Sequence, residues 1–131
     1  MKFGFKALPG AGGDYLRPAI PVTVAGLEAG PLLCLLDTGS RHNRLPLWLA
    51  EVAGIDLADA DHQDLAVGGF QTQARTTLVA LTVGEFTWEA PVSFCDPWDP
   101  PFGLLGQEGF FRWFDVRFRV AHEAFELVPD A

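Results

Sequence analysis

Apolar residues recur at every second position in five stretches of this chain. Phe3 and Phe5 do so, then Ile20, Val22 and Val24, then Trp88, Ala90, Val92 and Phe94, then Phe114, Val116, Phe118 and Val120, and finally Phe125 and Leu127. A period of two is the pattern of a strand with one face buried. The runs are short, and Gly- or Pro-rich clusters separate them, so the chain turns often. With 131 residues it has room for one core of ordinary size but not for two. The expectation is a single all-β domain over residues 1–131, a small closed or partly open barrel with one or two short helices.

Other segments refine that reading. Leu32 to Leu36 is a continuous apolar run, as in a strand buried on both faces. Pro21 within the Ile20–Val24 alternation points to a sheet edge or a strand start. Pro46 to Ala53 is the best helix candidate, with Pro near its start and Gly54 just past its end. Leu65–Val67, Gly68-Gly69 and a strand from about Thr72 to Val83 predict a hairpin with a glycine tip. Gly84-Glu85 fits a type II′ turn into the strand that carries Trp88 to Phe94. Gly10–Asp14 and Asp96–Pro101 are loops, and a short helix is expected near Gln107–Arg112.

Composition removes several function classes. The net charge is −8 and the pI about 4.6, which disfavours nucleic acid and anionic lipid as partners. No apolar run is long enough to span a membrane, and the N-terminus lacks the apolar core of a signal peptide. The expected location is the cytoplasm, where Cys34 and Cys95 read as buried free thiols. Asp59, Asp61 and Asp64 hint at a calcium loop, but Asp64 and Phe70 stand where an EF-hand needs Gly and Glu, leaving a solvated acidic loop. His42, His62 and His122 have no ligand spacing to either cysteine. No metal or organic cofactor is expected. Ser40 lies in no G-x-S-x-G elbow, and Gly10-Ala11-Gly12-Gly13 does not open a clear helix as a phosphate loop would. The aromatic residues read as core and interface, not as a stacking platform for bases.

The segment with chemical content is Asp37-Thr38-Gly39-Ser40, directly after the apolar run. A buried strand ending in Asp then Gly places a carboxylate at the mouth of the core, and the Gly permits close approach of another backbone or a ligand. On the tripeptide alone, an Asp capping its own turn through an Asx bond accounts for the same residues. The context adds to it. Leu32-Leu33-Cys34-Leu35-Leu36 precedes the motif, a Gly-tipped hairpin follows, and Leu104-Leu105-Gly106 comes later with aromatics and an alternating strand behind it. This arrangement, from about Pro18 to Pro129, resembles the retropepsin-like aspartic proteases, the single-domain relatives of retroviral proteases and pepsin.

The resemblance implies an acid-protease barrel with a flap hairpin. It implies Asp37 as the catalytic aspartate, Thr38 as the hydroxyl bracing the catalytic loops, and Gly39 as the backbone that meets substrate. It implies Ser40, Arg44, Val67, Gly68, Gly69 and Phe70 at the substrate, and Leu104, Leu105 and Gly106 as support for the active-site loop. Aspartic proteolysis uses two carboxylates that share a proton. The chain holds one D-T-G, so the resemblance implies a homodimer acting on a peptide or protein substrate. Phe3, Phe5, Phe125 and Leu127 are the pattern's candidates for the interface. Two departures stand out. Arg44 replaces an aliphatic residue, and Arg41 stands where retroviral members carry an acid that pairs with an Arg after the Gly. A reversed Arg41–Glu108 pair would keep that link. Alternatively, Arg41 and Arg44 are solvated loop charges. Lining the cleft, they would favour acidic peptide side chains. The alternative function is a retropepsin-like dimerisation or peptide-binding module that no longer cleaves.

Overall fold

The structure is a computed structural model that describes residues 1–10 and 15–130. The glycine-rich stretch expected as a loop lies, from residue 11 to residue 14, outside the described residues. In chain order the elements are β1 (Lys2–Gly4), β2 (Lys6–Ala7), β3 (Leu16–Arg17), β4 (Ala19–Val24), β5 (Leu32–Leu36), β6 (Asn43–Pro46), α1 (Leu47–Ala53), β7 (Asp61–Val67), β8 (Phe70–Val83), β9 (Phe86–Asp96), β10 (Gly103–Leu105), β11 (Phe114–Arg119) and β12 (Ala124–Pro129).

The principal sheet runs β4-β5-β10-β6-β9-β8-β7, and β4 also pairs with β8. That last pairing closes a six-stranded mixed barrel and leaves β7 outside it, joined only to β8. Closure explains how Pro21 is accommodated. The Leu36 N–H bonds to Pro18 O, and in this register the Pro21 nitrogen points away from β5. It faces the stretch of β4 that β8 does not reach, since β8 pairs only with Thr23 and Val24. No ladder bond is lost.

The period-two residues fill the barrel. Ile20, Val22, Val24, Leu81, Val83, Trp88, Ala90, Val92 and Phe94 are all buried. In β5 the burial is one-sided: Cys34 and Leu36 are buried, while Leu33 and Leu35 are half-buried. The α1 helix starts after Pro46 and ends at Gly54, φ 71°. There the Ile55 N–H bonds to Ala50 O and the Gly54 N–H to Glu51 O, a Schellman ending. A second, three-stranded sheet runs β1-β12-β11 and joins the two ends of the chain.

Several expectations change in detail. Asp61 and Asp64 belong to β7, not to an acidic loop, so the hairpin arm is longer than its apolar residues suggest. Both residues are exposed, so neither carboxylate is desolvated in the strand. The short helix after Gly106 is one π-type turn over Gln107–Phe111. Phe125 and Leu127 are fully buried within the single chain, with Phe3 stacked on Phe125 at 5.5 Å. They are core residues and offer no surface to a second copy. The same alternation marks a core face and an interface face, and pattern alone does not separate them.

Candidate active site

The Asp37 loop is the bend between β5 and β6, and β10 lies between these two strands, parallel to β5 and antiparallel to β6. The Asp37 N–H donates to Leu105 O at 2.9 Å, and the Ser40 N–H to Asp37 O at 3.0 Å. The half-buried Asp37 carboxylate accepts the Gly39 N–H through Oδ1 at 2.9 Å. This is the Asx bond expected of a turn-capping Asp. No hydrogen bond engages Oδ2 among the described residues. Thr38 and Gly39 are exposed.

Gly106 is where the support comes closest. A Cβ there would overlap both His42 O and Ser40 O, so only glycine lets β10 approach the loop. Immediately beyond it, the Gln107 N–H bonds to Ser40 O and the Glu108 N–H to Arg41 O, both at 2.9 Å. Gln107 Nε2 donates to Thr38 O at 2.7 Å. The expected Arg41–Glu108 pair does not form. Arg41 is exposed, and Glu108 turns instead to Arg112 at 2.7 Å, one helical turn along. The two segments are tied by backbone bonds and by Gln107, which makes a charge pair unnecessary there.

Two buried residues that the motifs do not mark complete the brace. Asn43 receives the Gly106 N–H on Oδ1 and donates through Nδ2 to Gly109 O, each at 3.0 Å. Trp88 Nε1 donates to the same carbonyl at 2.8 Å. The available signal for Asn43 was its place one step out of phase with Arg44 and in phase with Leu45, a polar side chain on a core-facing position. Trp88 is a core residue, as its alternation predicts, and its ring N–H has a structural partner as well.

The glycine tip at Gly68 and Gly69 has φ values of 53° and 91°, and Val67 pairs directly with Phe70 across it. The Phe70 ring packs edge-on against Trp98 at 5.9 Å. A cavity of about 760 Å³ runs along this hairpin past Leu65, Thr72, Gln73 and Pro97. It includes no residue of the Asp37 loop, which is marked by its backbone geometry instead. Beside that loop lies a shallower hollow of about 390 Å³, lined by Thr38, Gln107, Glu108, Phe111 and Arg112.

An apolar strand thus leads into D-T-G, with a second strand that leads into Gly106 wedged beside it. A family model described as aspartyl protease matches residues 20–108. The chain belongs to the aspartyl protease family. No curated protein matches it in sequence. Among solved structures, this aspartyl protease family member is similar to the retroviral protease-like domain of Ddi1 from Leishmania major. The two share 12% identity and a TM-score of 0.63, over 87% of this chain and 90% of that one. It is also similar to a retropepsin-like aspartic protease from Rickettsia conorii, at 14% identity and a TM-score of 0.60 over 98% of each chain. At these identities the likeness is one of fold, the retropepsin barrel.

Within that family member, the structure brings Asp37, Thr38, Gly39, Ser40, Leu104, Leu105 and Gly106 together at the crossing of β5, β6 and β10. Val67 to Phe70 stand apart at the hairpin tip. Ser40 is buried, and its hydroxyl donates to His42 O at 2.8 Å while accepting from Arg44 Nε at 3.2 Å. Arg44 is buried too, which removes the solvated-charge reading for it and leaves that reading for Arg41. No group of three potential metal-ligating side chains occurs among the described residues.

Proposed function

We propose that this chain is a homodimeric aspartic endopeptidase in which two copies of Asp37, one per subunit, activate the water that attacks a peptide bond. The observation that supports it is a half-buried carboxylate with one free oxygen, held by a braced loop at the rim of a retropepsin barrel that carries a single D-T-G. One carboxylate, ionised, takes the proton of the water. The other, protonated, donates to the carbonyl oxygen of the scissile bond. Neither task is open to a lone Asp37, so the second carboxylate must come from a second copy. The exposed Thr38 and the hollow beside it fit that role, being the surface next to Asp37 that the chain itself leaves uncovered. The hairpin tipped by Val67, Gly68, Gly69 and Phe70 would close as a flap over an extended peptide bound by strand-like hydrogen bonds. The chemistry draws on two carboxylates and water, without a metal.

The test is cleavage of a mixed peptide library by the wild type and by Asp37→Asn, from roughly pH 3.5 to 7.5 to span carboxylate titration, with the mass of both proteins in solution. Cleavage by a dimeric wild type, lost in Asp37→Asn, is the expected result. A strict monomer sinks the shared-site mechanism. A folded dimer of wild type that binds peptides and cleaves none supports the second reading, a binding module. That reading draws on Arg41, exposed where retroviral relatives carry an acid.

A further inference from the structure

Arg44 is the most unusual side chain in the molecule. In β6, Asn43 and Leu45 face inward, Asn43 to the Gly106 and Gly109 backbone and Leu45 into the core. Arg44 therefore leaves the strand on the opposite face. Its partners in register are Leu104 on β10 and Ser93 on β9. Leu104 directly precedes Leu105, whose carbonyl holds the Asp37 N–H. Arg44 Nε donates to the Ser40 hydroxyl, three residues on from Asp37. The guanidinium thus sits against the active-site loop.

It is 9% exposed, yet its side-chain partners are neutral, the Ser40 hydroxyl and the Cys95 thiol, and Nη1 is buried with no acceptor. No carboxylate among the described residues pairs with it. The chain has 17 acidic residues against 9 basic ones, so acids are not scarce. The nearby Cys95 thiol does not supply a negative charge, because burial outweighs Arg44 and pushes the thiol up to about 11. An uncompensated buried cation costs several kcal/mol, and a planar carboxylate is the partner that a guanidinium fork fits best.

We propose that Arg44 is a specificity-determining residue that receives an Asp or Glu side chain of the peptide beside the scissile bond. This rests on the endopeptidase reading for its cleavage assay, though not for its binding assay. Peptides capped at both ends carry Glu or Gln at each position in turn around the cleaved bond, and the Glu-to-Gln ratio of kcat/KM is read within each protein. Any general loss of activity in a variant cancels in that ratio. The wild type should prefer Glu by tenfold or more at one position. The ratio should fall to about one in Arg44→Met and lie between in Arg44→Lys, which keeps the charge but not the fork. Arg44→Met should also melt no lower than wild type, because it removes an unpaired buried charge, whereas an arginine with a purely structural role would lower the Tm when replaced.

Equal cleavage of Glu and Gln peptides by the wild type at every position overturns the proposal. So does an undiminished preference in Arg44→Met, or a loss of dimer in that variant together with a wild-type ratio of one. If no protein cleaves any peptide, the endopeptidase reading fails, and binding of the same labelled peptides by fluorescence anisotropy decides for Arg44. Tenfold tighter binding of a Glu peptide that disappears in Arg44→Met upholds the subsite; equal binding, or none, overturns it.

Discussion

The Asp37 loop and the Gly68-Gly69 hairpin tip are both glycine-bearing turns, but they are held in opposite ways. Around Asp37 the glycine that matters is Gly106, on another strand, and it is needed for space. Its Cβ would strike two carbonyl oxygens of the loop. At the hairpin tip both glycines are needed for conformation, with positive φ and nothing within reach of an added Cβ. The loop is tied by the backbone bonds of Gln107 and Glu108, by Gln107 Nε2 and by Asn43. The tip is tied by its own ladder and by Phe70 on Trp98. A carboxylate fixed in its loop beside an arm that ends in a two-glycine tip is the division of labour the proposed mechanism would use, with the reacting groups placed in advance and the substrate entering past the arm.

The contrast breaks most sharply at Gly106. Gly106→Ala should destabilise by about 3 kcal/mol, the upper part of the range for overpacking a filled site. At this chain length that lowers the Tm by on the order of 10 °C. Activity should be lost even at temperatures where the variant is folded, because the clash falls on Ser40 O and His42 O and moves the Asp37 loop. Thermal melting and peptide cleavage on one preparation check both parts. A variant that melts like wild type would mean that β10 does not lean on the loop as described.

Asn43→Ala comes next. It strips the Gly106 N–H of its acceptor in a buried setting, at about 2 kcal/mol for an orphaned donor. Gly109 O keeps the Trp88 ring N–H, so the loss should be one-sided. Amide exchange measured residue by residue should speed up at Gly106 and leave the β8–β9 ladder unchanged.

Much of this frame is legible in the sequence, for definite reasons. Alternation reports strands because burial of one face is a local property, and so β4, β5, β8, β9, α1 and both hairpin turns fall where the residues place them, whereas β6 and β10, at four and three residues, are too short to show an alternation. D-T-G and Leu-Leu-Gly are legible because close backbone approach demands Gly and little else. What stays hidden is what depends on a partner distant in sequence. Asn43 and Gly109 lie 66 residues apart, and nothing local says that one serves the other. An Arg41–Glu108 pair suits the charges as the sequence sets them out, yet Arg112 is nearer to Glu108 along its own turn. Phe125 and Leu127 show the same limit in reverse: their alternation is plain, but whether it faces a core or a second chain depends on where β1 and β11 lie.

At the hairpin tip a smaller effect is expected. Gly68→Ala meets no neighbour, so its cost is the positive φ alone, about 1 kcal/mol. The Tm should fall by a few degrees. The informative comparison is with activity: a flap that must open and close should show a larger relative change in KM and kcat than the stability loss explains. A change confined to Tm would leave the hairpin as scaffold.

The smallest expected effect is one of pH, and it reports on the braced side. His42 lies between the two regions that hold the Asp37 loop, with Nδ1 buried and unpartnered. Its imidazole is held below the ordinary 6.5 first by burial, then by the Arg44 and Arg41 charges, with Glu108 pulling the other way. The neutral form is therefore the one the fold prefers. As pH falls through 6.5 the unfolded chain takes up the proton first, and the folded chain loses relative stability until His42 itself protonates at lower pH. Above that window the contribution is complete. Melting temperatures from pH 7.5 to 5 should thus fall more steeply for wild type than for His42→Gln, which has nothing to protonate at that position. Parallel curves would mean that neither burial nor the two arginines depresses His42, and that this side of the loop is more open to water than described.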